Sequence, residues 1–88
     1  MKTLDLVLKH RWFEMICEGP KREEYREKSP YWLKRLLSYN KGDNVRFRRG
    51  YTSTFRDFRI VDITTGIGRP EWGAPTHEVF IIKFENYD

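Results

Sequence analysis

The residues with the clearest chemical potential lie between Gly19 and Arg26, where a glycine and a proline precede a lysine, two carboxylates and an arginine. Lys21 can hold a phosphate or, if its pKa is lowered, act as a general base. Glu24 can accept a hydrogen bond from an amine or a ribose hydroxyl, and Arg26 offers a two-pronged donor to phosphate or a base edge. This group therefore predicts a site for a nucleotide or RNA. A cross-strand ion pair with a purely structural role remains the alternative.

A second basic group lies further along the chain, in a stretch where arginine alternates with aromatic residues. Only Asp57 opposes its five arginines within that stretch, which are Arg46, Arg48, Arg49, Arg56 and Arg59. A local excess of positive charge favours a polyanion, and interleaved aromatic rings suit the stacking of bases. We predict Arg46, Arg48 and Arg49 as ligand contacts. Alternating arginine and phenylalanine equally fits an ordinary half-exposed strand, so both interpretations stay open.

Two aromatic residues in loops complete the predicted ligand-binding set. Tyr51 and Trp72 each stand beside a glycine, and loop aromatics contribute less to a core than those on helices or strands. We therefore predict that both stack on a ligand. Trp12 and Trp32 fall in helical patterns with apolar neighbours, and we predict that they belong to the core.

The composition limits the classes of protein to consider. The chain has 88 residues, which suits one domain over residues 1–88, and 17 basic against 13 acidic residues give a net charge of +4. Cys17 is the single cysteine, so no intrachain disulfide can form, and we expect a cytoplasmic protein. No apolar run is long enough to span a membrane, and we predict no membrane association.

Metal and cofactor chemistry find no support in the sequence. His10 and His77 stand alone, without a cysteine or second histidine at ligand spacing. The glycines Gly66 and Gly68 lack the strand-to-helix context of a phosphate loop and read as bends. We therefore predict neither a metal site nor a cofactor.

The elements that must position these residues follow from local patterns. Apolar runs and alternation predict strands at 3–8, 22–26, 45–48, 55–65 and 78–84, with helices at 10–18 and from 29 to the turn at 40–43. In the strand at 22–26, Glu24 and Arg26 share one face, and Lys21 stands at the mouth of the site. A change of phase within 55–65 predicts a bulge or a strand that bends around a barrel. The fold class is α+β, a small mixed β-barrel of about five strands with two helices.

The motif and its context together resemble a known family. Gly19, Lys21, Glu24 and Arg26 form the pattern G-x-K-x-x-E-x-R directly after a leucine-rich strand and a helix. This arrangement resembles the ASCH domain family, small relatives of the PUA RNA-binding domain, and the similarity continues through residues 43–51 and 79–84. The resemblance implies a PUA-like β-barrel with a cleft beside the motif that holds RNA or a nucleotide.

The same resemblance implies a second hypothesis. One branch of the family consists of bacterial amidohydrolases that remove the acetyl group from N4-acetylcytidine, with a lysine at the position of Lys21. A small hydrolase acting on a modified nucleoside or on RNA would use Lys21 as base with Glu24 assisting. Those enzymes have a threonine where this chain has Glu24, and a longer segment before the last strand, where Glu71 is here the sole acid. A third hypothesis is a protein-interaction module; binding of RNA or a nucleotide leads.

Overall fold

A computed structural model describes residues 1–87 as an α+β fold with a five-stranded mixed sheet and two helices. Asp88, the last residue of the predicted domain, lies outside the described residues. The strands are β1 (Thr3–Leu8), β2 (Glu23–Arg26), β3 (Asn44–Arg49), β4 (Phe55–Gly66) and β5 (Val79–Glu85), and the helices are α1 (His10–Glu18) and α2 (Pro30–Leu36). Strand ends differ by at most one residue from the predicted bounds. A 3-10 turn at Pro70–Trp72 lies before β5.

The sheet has the order β1-β3-β4-β5-β2, which puts β1 and β2 at its two edges. Strand β1 runs parallel to β3, and every other neighbouring pair is antiparallel. Over residues 1–87 no ladder joins β1 to β2, so the predicted closure into a barrel is not confirmed. The two open edges instead flank a cleft.

Local sequence explains why α1 ends where the candidate residues begin and why α2 begins soon after them. Helix α1 buries Phe13 and Ile16 and ends at Gly19, whose φ of 112° is the left-handed conformation that glycine adopts without strain. Pro20 then prevents another helical turn. Helix α2 starts at Ser29, whose hydroxyl accepts a hydrogen bond from the Trp32 N–H at 3.3 Å. Strand β2 is therefore a short extended segment between two fixed helix ends.

The main core lies between the curved sheet and the helices. Its centre is a cluster of three phenylalanines from β3, β4 and β5, with Phe47 and Phe84 rings 4.8 Å apart and Phe58 beside both. The register of β4 against β5 shifts between Ile60 and Asp62, which confirms the predicted bulge. The bulge increases the curvature of β4. Strand β5 follows this curve and pairs with β2, which forms the far edge of the sheet.

Candidate functional site

A cleft of about 780 Å³ opens between the edges of β1 and β2. Five aromatic residues contribute to its wall, namely Trp12, Tyr25, Trp32, Tyr51 and Trp72. Four basic side chains and two acidic ones line it as well, namely Lys9, Arg26, Arg35, Arg48, Asp5 and Glu24. The cleft therefore combines flat apolar surfaces with a local excess of positive charge.

The pairing of β1 fixes which backbone groups face this cleft. The carbonyl of Leu8 accepts from the Gly50 N–H at 2.7 Å, so the alternate residues Leu4, Leu6 and Leu8 direct their backbone groups to β3. Asp5 and Val7 consequently direct both N–H and C=O away from β3, toward the open edge. This is the edge that lines the cleft.

The same argument applies to β2 on the other side. Arg22 accepts from the Phe84 N–H, so Glu24 and Arg26 direct their backbone groups to β5. Glu23 and Tyr25 point theirs away from β5. Two open strand edges therefore face one another, each with backbone groups that no strand satisfies.

Arg26 connects the two edges. Its guanidinium donates to the carbonyl of Tyr25 on β2 at 2.7 Å and to the carbonyl of Val7 on β1 at 3.3 Å. It also donates to Glu24. The guanidinium lies 5.2 Å from the ring of Trp32, and Arg35 lies 5.0 Å from the same ring. A side chain thus spans the position where a closed barrel would have a ladder.

Lys21 lies behind the cleft wall and not at its mouth, where the sequence placed it. Its side chain is fully buried. The ammonium donates to the carbonyls of Glu23 at 2.7 Å and Trp72 at 2.6 Å, and it is 3.0 Å from Oε1 of Glu24. Burial lowers the pKa of Lys21, although the Glu24 carboxylate acts in the opposite direction. All three ammonium hydrogens therefore have oxygen partners.

Glu24 and Arg26 come together as predicted, but Glu24 is fully engaged. One of its carboxylate oxygens pairs with Lys21 and the other with Arg26. The residue is buried and still contributes to the cleft wall. Its main role in this arrangement is to hold two cations in place, so it has little capacity left for a ligand amine.

The predicted arginine contacts divide into two groups. Arg48 lines the cleft, where it forms a two-pronged ion pair with the Asp5 carboxylate at 2.9 Å. Arg46 pairs with Asp57 and Arg49 with Glu14, and neither is among the residues that line the cleft. Distant acids therefore offset the positive charge that the local sequence indicated. Arg46 also lies 4.0 Å from the ring of Phe55, which supports the strand interpretation for this residue.

The predicted aromatic contacts both reach the cleft. Tyr51 is 96% exposed at the tip of the β3–β4 connection, so its ring is available to a ligand. Trp72 is half-buried in the 3-10 turn, with the Arg69 guanidinium 4.7 Å from its ring. Trp12 and Trp32 were predicted as core residues, and they line the cleft as well.

Sequence reasoning missed several lining residues for an identifiable reason. Lys9, Trp12, Trp32 and Arg35 lie on different elements, and only the opposite placement of β1 and β2 brings them to one cleft. The sequence contained one signal that Trp12 and Trp32 could line a binding site. Each lies near an arginine that stacks on its ring, as Arg11 does on Trp12 at 4.6 Å.

Comparisons of the chain with protein-family models and with curated proteins found no match. Within residues 1–87, no group of three or more histidine, cysteine or acidic side chains is arranged to hold a metal ion. Neither helix in that part of the chain has the length and hydropathy needed to cross a membrane.

Proposed function

We propose that this chain is an ASCH-like, PUA-related domain that binds RNA or a nucleotide in the cleft between β1 and β2. The observation that carries the proposal is the convergence of five aromatic rings and four basic side chains on a single cleft of about 780 Å³. Pockets of about 300–1,000 Å³ hold small ligands the size of a nucleotide. Bases stack on such rings, and the cations offset phosphate charge.

Hydrolysis has weaker support than binding. A general base needs a free lone pair that can reach a substrate proton, and the lowered pKa of Lys21 favours that role. Its ammonium is nevertheless buried and donates to three oxygens, so Lys21 would have to leave Glu23, Glu24 and Trp72 before reacting. We therefore assign Lys21 and Glu24 a structural role, in which they hold the cleft wall in position.

The protein-interaction hypothesis has one observation of its own. Leu33 of α2 and Leu37, which follows this helix, are exposed beside Ile63 of β4, and together they line a shallow apolar groove. Binding there would depend little on salt, because apolar contacts are not screened by ions. The response to salt consequently separates this hypothesis from RNA binding.

The test measures binding of a labelled single-stranded RNA of mixed sequence by fluorescence anisotropy at several salt concentrations. We expect the logarithm of the affinity to fall linearly with the logarithm of salt, by about 0.7 per phosphate contacted. Tyr51→Ala should weaken binding about 5- to 100-fold through the lost stacking surface, with little loss of stability because the ring is exposed.

Ile67→Ala is the control, since Ile67 is also exposed but lines neither the cleft nor the apolar groove. It should bind RNA as the unmodified protein does. A flat salt response, or equal effects of the two substitutions, would contradict the proposal and favour a protein partner.

A further inference from the structure

The acceptor groups of the cleft already have cationic partners. The Asp5 carboxylate accepts from the Arg48 guanidinium at 2.9 Å, and the Glu24 carboxylate is divided between Lys21 and Arg26. A ligand that offers hydrogen-bond donors would have to compete with a charged donor at each of these sites.

The backbone carbonyls on the cleft are covered in the same way. Arg35 donates to the carbonyl of Asp5 at 2.5 Å, and Arg26 donates to the carbonyls of Val7 and Tyr25. A free strand edge normally alternates donors with acceptors and can therefore pair with another strand. Here cations cover the acceptors, so this edge is poorly suited to strand addition.

The donors on the same edges remain open. The N–H groups of Asp5, Val7 and Tyr25 point away from their neighbouring strands, and within residues 1–87 no strand pairs with them on that side. Each strand edge therefore offers N–H donors next to carbonyls whose negative potential is cancelled by a guanidinium. Backbone N–H groups and guanidinium groups together are the usual partners of oxyanions.

The charge of the cleft indicates which oxyanion fits. Four cations line it and Lys21 behind its wall is a fifth, whereas only two acids oppose them, which leaves an excess of three positive charges. A phosphate monoester carries about 1.5 to 2 negative charges near neutral pH and has oxygens that only accept. An internal phosphodiester carries one charge and matches the excess less well.

We infer that the gap between the edges of β1 and β2 binds a terminal phosphate, the monoester at an RNA end or on a mononucleotide. The inference rests on the proposed function and deepens it, because it states which part of the ligand enters the cleft. The N–H groups of Asp5 and Val7, with the guanidinium groups of Arg26 and Arg35, are the donors. The attached nucleoside then lies toward the aromatic wall.

The experiment compares RNA oligomers of one sequence that carry a 5′-phosphate, a 3′-phosphate or hydroxyls at both ends, at fixed ionic strength. We expect one phosphorylated form to bind about tenfold or more tightly than the hydroxyl form. The two phosphorylated arms identify which end is recognised. Inorganic phosphate should release clearly more of the phosphorylated RNA than chloride does at the same ionic strength.

Val7→Pro tests the backbone donor directly. Proline removes the Val7 N–H that faces the open edge and leaves the ladder with β3 intact, which is the setting in which an edge strand accepts proline. We expect the advantage of the terminal phosphate to shrink about fivefold or more. Thr3→Pro is the control, because it removes an N–H of the same open edge outside the cleft lining, and it should retain the advantage within about twofold.

The outcomes separate the two proposals. Equal affinity for all three RNA ends would overturn this inference and leave RNA binding in place. Absence of binding to every oligomer would overturn the proposed function as well. If Val7→Pro does not fold, as judged by circular dichroism, the comparison of RNA ends in the unmodified protein decides the question by itself.

Discussion

At the scale of single residues, the buried lysine explains more of this structure than any exposed charge. Lys21 connects β2 to the 3-10 turn, because its ammonium donates to Glu23 in one and to Trp72 in the other. It also supplies the charge that balances a buried Glu24. An ammonium buried between two carbonyl oxygens and a carboxylate holds the cleft wall in position.

We predict that Lys21→Met lowers the free energy of unfolding by about 3–5 kcal/mol, because it leaves Glu24 short of a partner and two buried carbonyls without a donor. Urea denaturation at neutral pH measures the change. Lys83→Met is the control, since Lys83 is exposed on β5, and it should cost less than about 1 kcal/mol. Similar costs for the two variants would contradict the structural role.

At the scale of elements, the 3-10 turn is positioned by close contact with α1. Gly73 ends the turn with a φ of 97°, and a β-carbon there would lie 2.8 Å from the ring of Trp12. Glycine is therefore required twice, for its backbone conformation and for the approach of the tryptophan. The contact fixes Trp12 and Trp72 on the same wall of the cleft.

We predict that Gly73→Ala lowers the free energy of unfolding by at least about 2 kcal/mol and weakens RNA binding, because Trp12 has to move. Gly42→Ala separates the two causes, since Gly42 has a φ of 94° with nothing within 4 Å of the added carbon. It should cost about 1–2 kcal/mol for the backbone alone and leave RNA affinity unchanged. Denaturation and anisotropy measurements on both variants check this, and a loss of affinity in Gly42→Ala would refute it.

The elements themselves were largely predictable because their signals are local. Gly19 and Pro20 end α1, Ser29 begins α2, and the change of phase in β4 marks its bulge. The position of Lys21 was not predictable, because the carbonyl that holds its ammonium belongs to Trp72, 51 residues away in sequence. Local sequence patterns indicate which face of an element a residue occupies. Segments that are distant in sequence determine whether that face is covered by protein or exposed to solvent.

The neutralised arginines illustrate the same limit. Within the strand stretch only Asp57 opposes them, but the fold brings Asp5 to Arg48 and Glu14 to Arg49. These acids lie more than thirty residues earlier in the chain. A charge count over a sequence window therefore overestimates the field where strands from different regions pair.

At the scale of the whole molecule, the sheet curves so that its two edges approach but do not pair. The sheet, with the strand order β1-β3-β4-β5-β2, curves around the core. Side chains connect its two edges at the place where a ladder would close a barrel. The cleft is thus part of the architecture, because it occupies the place of the missing strand pairing.

We predict an alternating pattern of amide hydrogen exchange along β1. The N–H groups of Leu4 and Leu6 face β3 and should exchange only through larger opening, whereas those of Asp5 and Val7 face the cleft and should exchange on the order of 100-fold faster. Exchange followed by NMR measures the rates residue by residue. Uniform protection along β1 would mean that the two edges pair in solution.

The placement of the tryptophans gives the protein an optical property. The chain has three, and all of them contribute to the wall of one cleft. Its tryptophan fluorescence therefore arises entirely from residues at the proposed site, without background from tryptophans elsewhere. Occupancy of the cleft should change this emission in the unlabelled protein, so the natural chain can serve as its own reporter in a titration.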